Sequence, residues 1–236
     1  MTKNIAHRGF SSHYPENTML AFAQAIKADC NGIEFDVHLT KDGQAVIIHD
    51  ETVDRTTNGK GVVKEMTLAQ LRALDAGKGE RIPTLDEYLD FVVKMDIVSN
   101  IELKNSIFRY PGIEEIVVGK VRARGLSQRV IFSSFNHFSV LECKRIAPEI
   151  RCGFLSDSWI INAGAYTKKH GIECIHPKYH SLTDEAIAEI HANGIEINTY
   201  TVNDLQTMRR LTEFNVAGII TDNPALLKDV LSAAQK

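Results

Sequence analysis

His7 and His49 each close an apolar, β-type run, IAHRG and VIIHD, and each is followed by a charged neighbour, Arg8 and Asp50. Imidazole titrates near neutral pH, so either ring suits a proton acceptor or a proton donor. Between them stands Glu34-Phe35-Asp36, whose carboxylates fall at i and i+2 and leave a strand from one face. Glu102, in Asn100-Ile-Glu-Leu-Lys104, is a third acid at the end of such a run. Gathered at one place these acids repel: two unit charges about 4 Å apart cost roughly 4 kcal/mol at an effective dielectric near 20. A divalent cation removes that cost, and an all-oxygen ligand set prefers a hard ion, Ca²⁺ or Mg²⁺, to Zn²⁺. Arg8 and Lys104 can balance the acids or hold a phosphoryl group, arginine through its planar fork and lysine as a point charge. The chemistry indicated is metal-assisted acid–base hydrolysis. Which histidine does which step stays open on these residues alone, and Asp50 either orients His49 or caps the segment after it.

These side chains need a scaffold that brings distant strand ends together. Short β-type runs alternate with helical patterns along the chain, and Met19, Phe22, Ala23 and Ile26, like Leu85, Tyr88, Leu89 and Val92, follow the i, i+3, i+4, i+7 spacing of an amphipathic helix. Thr84 with Glu87 makes a capping box after Pro83, and Pro224 suits the first turn of a last helix. Alternating strands and helices over this length imply the α/β class and a closed TIM (β/α)8 barrel, which keeps its active site at the carboxyl ends of the strands. Nine strand-like runs are one too many. Thr40-Lys41-Asp42-Gly43 reads as a hairpin turn, so the run at 45–49 is a β-hairpin extension of strand 2 that folds His49 back level with Phe35, beside Glu34 and Asp36. Residues 51–82 then interrupt the repeat as a small inserted segment. Loops beyond about 15 residues are usually functional or disordered, and Leu68, Leu71 and Leu74 suggest a short helix here, so a lid over the rim is expected. Residues 1–236 read as one domain.

Composition narrows the function further. The chain has 236 residues, 44% of them apolar, and 27 Lys+Arg against 30 Asp+Glu for a net charge of −3, with no basic tract. Nucleic acid and anionic membranes therefore have no electrostatic footing as partners. No apolar run approaches the roughly 20 residues that span a bilayer. Cys30, Cys143, Cys152 and Cys174 show no CxxC spacing, which favours free, partly buried thiols and a cytoplasmic setting. No P-loop, GxGxxG, GxSxG or HExxH motif occurs, which removes nucleotide-driven, dinucleotide-dependent, serine-hydrolase and zincin chemistry. An amidohydrolase-like centre would need histidine-rich metal ligands on several strands, and the acid-rich set argues against it. His13, His38, His137, His170, His176, His180 and His191 show no ligand spacing, and only His176 falls at a strand end.

Taken in order, His7-Arg-Gly, Pro15-Glu-Asn-Thr18, Gly32-Ile-Glu-Phe-Asp-Val37, Thr40-Lys-Asp-Gly43, Val46-Ile-Ile-His-Asp50, Arg55-Thr-Thr-Asn-Gly59, Ile82-Pro-Thr-Leu85, Glu102-Leu-Lys104 and Ile219-Ile-Thr-Asp-Asn-Pro224 resemble the glycerophosphodiester phosphodiesterase family across essentially the whole chain. The resemblance implies a TIM barrel that hydrolyses glycerophosphodiesters, such as glycerophosphocholine or glycerophosphoethanolamine, to sn-glycerol 3-phosphate and an alcohol. It carries metal binding onto Glu34, Asp36 and Glu102, proton acceptance onto His7, proton donation onto His49, and phosphate contact onto Arg8 and Lys104. Relatives also use attack by a glycerol hydroxyl, which gives a cyclic phosphate that water opens. In Ile197-Asn-Thr-Tyr-Thr-Val202 this chain has Tyr200 where many relatives have tryptophan, which bears on the alcohol group and makes Tyr200 a substrate-binding candidate. Phe135 and Trp159 are further aromatics that could line the mouth, with packing the expected role for each.

Two other functions compete. A lysophospholipase D or phospholipase C-like activity on a lipid requires an exposed apolar patch around the mouth, and none is legible in the sequence. A catalytically silent barrel that binds phosphorylated ligands would usually lack an acid or a catalytic histidine, and all five are present here. The partner expected is a small phosphodiester, with no nucleic acid and no stable membrane insertion. The sequence carries no expectation about oligomeric state.

Overall fold

The computed structural model describes residues 1–234. Nine strands are formed: β1 Lys3–His7, β2 Gly32–Leu39, β3 Ala45–Ile47, β4 Val98–Leu103, β5 Val130–Ser134, β6 Arg151–Ser156, β7 Cys174–Pro177, β8 Glu196–Thr199 and β9 Gly218–Thr221. All but β3 are parallel to their neighbours, and the additional pairing of β1 with β2 closes the sheet into an eight-stranded barrel. The helices between them are α1 Met19–Lys27, α2 Leu68–Arg72, α3 Leu85–Val92, α4 Ile113–Ala123, α5 His137–Ile146, α6 Ala163–Lys169, α7 Asp184–Ala192, α8 Leu205–Glu213 and α9 Pro224–Ala233. The barrel expected from the alternating pattern is thus found.

Alternation along β2 decides what faces where. Phe35 packs outward against Phe22 and Tyr88 at ring-centroid distances of 5.9 and 4.2 Å, in the apolar layer between sheet and helices. Glu34 and Asp36, one residue either side, therefore turn into the barrel. The helix signals also hold. Thr84 and Glu87 form the capping box of α3, Thr18 caps α1 by accepting from the Ala21 N–H, and Pro224 opens α9.

β3 is the hairpin extension. At its base β2 pairs with β1, His7 opposite Glu34, whereas beyond the end of β1 the same edge pairs antiparallel with β3, Val37 opposite Ile47. Continuing that register sets His49 opposite Phe35, and the bond from Ile48 N–H to Asp36 C=O (3.1 Å) follows it. Residues 51–82 pack on this extension through an apolar cluster of their own, in which Val53, Val63, Leu71, Ala76 and Ile82 meet Val46 and Ile48. The short helix of the segment is α2, with Thr67 and Gln70 as a capping box. Leu74 lies past its end but still joins the cluster.

Candidate active site

Strand register alone assembles the acids. β2 and β4 pair Glu34 with Asn100 and Asp36 with Glu102, so four polar side chains occupy two adjacent strands at the carboxyl end of the barrel. One carboxylate oxygen from each of Glu34, Asp36 and Glu102 lies within 4.8 Å of the others, and all three residues are buried. Beside them is a cavity of about 20 Å³ lined by His7, Glu34, Asn100, Glu102, Leu155, Tyr200 and Ile220, a size that admits a single water or ion. The Asn100 Oδ1, buried in this wall, has no hydrogen-bond partner.

The electrostatics follow from burial. Burial, then Asp36 and Glu102, push the Glu34 carboxyl well above the usual carboxylate range. Burial likewise lifts Glu102 to about 7, against the pull of Lys104. Asp36 behaves oppositely: burial opposes its charge, but Lys104, Arg8, His49 and the amide of Asn17 (2.9 Å) hold it at about 2. Lys104 Nζ stands 2.9 Å from Glu102 and 3.8 Å from Asp36, and Arg8 Nε is 3.5 Å from Asp36. Two cations thus sit against three acids in a buried site, which leaves the trio short of positive charge. The deficit, the orphaned Asn100 oxygen and the all-oxygen donor set fit a hard divalent ion.

The histidines flank this centre, each with its own carboxylate. His7 Nδ1 is 2.6 Å from Asp222 Oδ1, and its Nε2 is 3.9 Å from Glu34 Oε2. His49 Nδ1 is 2.6 Å from Asp50 Oδ1, and its Nε2 is 3.3 Å from Lys104 Nζ. The orienting role considered for Asp50 is therefore the one its geometry matches. Burial, together with Lys104 and Arg8, draws the His49 imidazole below its ordinary range, against Asp36 and Asp50. Asp222 is held at about 2: burial opposes its charge, but His7, Asn203 and Ser11 prevail.

The loop after β1 is shaped to deliver Arg8. Arg8 adopts a left-handed φ of 55°, a conformation that costs about 1 kcal/mol or more outside glycine, and its N–H donates to Glu34. Gly9 follows at φ 83°, and a Cβ there would meet the backbone of Ala21 in α1 at 2.7 Å. Only glycine fits, which is the physical content of the His-Arg-Gly run.

Several residues of this site carried no expectation. Asp222 lies one position beyond β9, and the pairing of Ala6 with Thr221 brings it beside His7. Glu16 accepts from Arg8 (2.7 Å) and from Arg55 (2.8 Å), and Arg55 also donates to both oxygens of Asp50 at 2.7 and 3.0 Å. Arg55 thereby ties the inserted segment to the carboxylate of His49. His38, fully buried, bonds the His49 carbonyl (3.1 Å) and the Tyr110 hydroxyl (2.9 Å). The signal available was motif membership: Glu16, Arg55 and Asp222 all lie in the ordered runs that carry the resemblance.

The sequence profile of the glycerophosphoryl diester phosphodiesterase family matches residues 7–226, which spans His7, both acid-bearing strands and Asp222. The chain belongs to that family. It is 42% identical over 230 residues to a glycerophosphodiester phosphodiesterase of Caldanaerobacter subterraneus, covering 94% of this chain and 95% of the relative. Against the one of Bacillus altitudinis it is 41% identical, covering 95% and 96%. Among solved structures it superposes on the Agrobacterium tumefaciens glycerophosphodiester phosphodiesterase (30% identity, TM-score 0.84, 97% and 100% coverage). It is also similar to an Oleispira antarctica phosphodiesterase in complex with the product sn-glycerol-3-phosphate (29% identity, TM-score 0.86, 97% and 96% coverage).

Of the three aromatic residues singled out, only Trp159 sits differently from expectation. Tyr200 lines the cavity, and its hydroxyl donates to the Ser156 carbonyl (3.0 Å). Phe135 packs edge-on against Tyr200 at 6.1 Å. Trp159, expected to pack, is 68% exposed. Ile107, Phe138 and Ile161, on segments that follow β4, β5 and β6, are likewise exposed. Among the described residues no helix is long and apolar enough to cross a membrane, and the four cysteines are free and buried.

Proposed function

We propose that this chain hydrolyses small glycerophosphodiesters to sn-glycerol 3-phosphate and an alcohol by metal-assisted acid–base chemistry. The observation that carries this reading is a buried acidic trio flanked by two histidines, each with a carboxylate on Nδ1. Glu34, Asp36 and Glu102 would hold the ion, Ca²⁺ or Mg²⁺. When bound, such an ion supplies Lewis-acid polarisation of the phosphoryl oxygen and a counter-charge to the acids.

The protein's own groups do the rest. His7 donates its Nδ1–H to Asp222, which leaves the Nε2 lone pair turned toward the cavity as the proton acceptor. It takes the proton of the attacking oxygen, whether water or a glycerol hydroxyl. His49, oriented by Asp50 at Nδ1, would give a proton from Nε2 to the leaving alcohol. Burial and the nearby Lys104 ammonium destabilise its charged form, which favours that transfer. Arg8 and Lys104 hold the phosphoryl oxygens, and the ring of Tyr200 borders the organic part of the substrate.

Residues 51–82 act as the lid, joined to the chemistry through Arg55 and Asp50. Residues 1–236 form one catalytic domain, working in the cytoplasm, a setting supported by four unpaired thiols. Five intact positions, His7, Glu34, Asp36, His49 and Glu102, speak against a silent phosphate-binding barrel. The second reading, a lysophospholipase D or phospholipase C-like activity, has one observation in its favour: the exposed apolar side chains on the rim. Phosphorus-31 NMR of glycerophosphoethanolamine turnover tests the choice. Glycerol 3-phosphate as the sole phosphorylated product supports the proposal. Phosphoethanolamine as product, or turnover of dispersed lysophospholipid alone, overturns it.

A further inference from the structure

Among the described residues only six large apolar side chains are exposed, and four of them, Ile107, Phe138, Trp159 and Ile161, lie on one arc of the barrel mouth. Ile107 follows β4, Phe138 follows β5, and Trp159 and Ile161 follow β6. These strands are consecutive in the barrel, so their carboxyl-terminal loops are neighbours. A groove of about 480 Å³ runs between the first two loops, past Arg109, Phe135 and Phe138. Phe135 in turn meets Tyr200, which lines the catalytic cavity. The apolar arc is therefore continuous with the mouth of the active site.

The charges around it are few and slightly positive. Arg109 is exposed and has no carboxylate within ion-pair distance among the described residues. The Lys64 ammonium stands 3.8 Å over the ring of Phe108, and Asp157 is the one outward acid on these loops, bonded only to the neighbouring Ser158 hydroxyl. Lys104 is turned into the acidic trio. Exposed apolar side chains on the loop after β4, in the first turn of α5 and on the loop after β6, a tryptophan among them, suit the headgroup region of a bilayer, where an indole finds apolar surroundings on one side and water on the other.

We propose that this arc docks the barrel mouth onto a phospholipid surface, with Phe138, Trp159 and Ile161 entering the interface and Arg109 and Lys64 meeting lipid phosphates. The attachment is peripheral and driven by apolar burial more than by charge, since the chain as a whole carries −3. The proposal builds on the reading of the site as a glycerophosphodiesterase only in that the mouth would face the membrane from which such headgroups derive.

Trp159 is the sole tryptophan of the chain, so its fluorescence reports this face directly. With the full-length protein and vesicles of phosphatidylcholine and phosphatidylglycerol, its emission should move to shorter wavelength, be quenched by brominated acyl chains, and persist at raised salt. The double variant Phe138→Asp, Ile161→Asp should lower vesicle partitioning at least about tenfold, with thermal stability and hydrolysis of soluble glycerophosphocholine unchanged. Emission unaffected by vesicles, with no co-sedimentation, overturns the proposal. Concentration-dependent dimerisation abolished by the same double variant also overturns it, because the arc would then cover a second copy of the chain. Loss of soluble-diester hydrolysis in a protein that still binds vesicles would count against the catalytic reading and leave this one standing.

Discussion

His7 Nδ1 and Asp222 Oδ1 lie 2.6 Å apart although 215 positions separate the two residues in the chain. Their meeting follows from barrel closure: β1 and β9 pair with Ala6 opposite Thr221, so the next residue of each strand stands side by side at the rim. A carboxylate accepting from Nδ1 fixes the tautomer that leaves Nε2 free to accept a proton.

Asp222→Asn should therefore lower kcat for glycerophosphocholine by about 10²-fold or more, with a smaller change in KM. An amide can donate to Nδ1, which would favour the tautomer with the proton on Nε2, the wrong atom. Steady-state kinetics on the purified variant check this, and a variant within a factor of two of the parent would show that Asp222 only packs.

Arg55 bridges Asp50 and Glu16, so the inserted segment reaches the partner of His49, the proposed proton donor, through one guanidinium. Arg55→Ala should reduce kcat about 10-fold on glycerophosphoethanolamine, the scale of effects that travel through an orienting partner. The loss should shrink on a p-nitrophenyl phosphodiester, whose leaving group departs without protonation. His49→Ala should show the same pattern with larger amplitude. An equal loss on both substrates would mean that Arg55 shapes the pocket and does not serve the donor.

Tyr200 gives its hydroxyl to the Ser156 carbonyl. Tyr200→Phe should leave kcat/KM within about twofold of the parent while costing about 1 kcal/mol of stability in denaturant unfolding, the usual worth of one hydrogen bond. A large, headgroup-dependent change in KM would instead place the hydroxyl in substrate recognition.

His176 is fully buried with no partner on Nδ1, and Asn198 Nδ2 donates to its Nε2 at 3.2 Å. Burial, aided by Arg151, draws its imidazole down to about 3, whereas in the unfolded chain it titrates near 6.5. Protonation thus favours unfolding. The contribution of His176 is complete above about pH 6.5 and is lost as pH falls toward 3, at up to roughly 1.4 kcal/mol per unit. His176→Leu should flatten the decline in unfolding free energy between pH 6.5 and 5, measured by urea titration at each pH. Parallel curves for the two proteins would refute the assignment.

Much of this arrangement was legible because it is periodic. The i, i+2 spacing of Glu34 and Asp36, the hairpin turn at 40–43 and the helix caps at Thr84 and Pro224 are local features, and local physics fixes them. Strand ends also announced Glu102 and both histidines. Asp222, Glu16, Arg55 and His38 were not assigned because their partners are set by closure of the barrel and by the path of residues 51–82, and neither leaves a periodic trace. The exposed rim was hidden for a related reason. Ile107, Phe138, Trp159 and Ile161 look like core residues in any window, and only their placement on loops and a helix start beyond the strand ends turns them outward.

The central claim is that one buried centre joins the acidic trio to the two histidines. Its most direct test is glycerol 3-phosphate release from glycerophosphocholine by the parent, His7→Ala and Glu102→Gln proteins, each with chelator and with Ca²⁺ or Mg²⁺ restored. The parent should lose its activity to chelator and regain it with the ion. Neither variant should recover to within about 10²-fold of the parent at any ion concentration. Turnover that ignores both the chelator and the loss of the His7 imidazole would contradict the account.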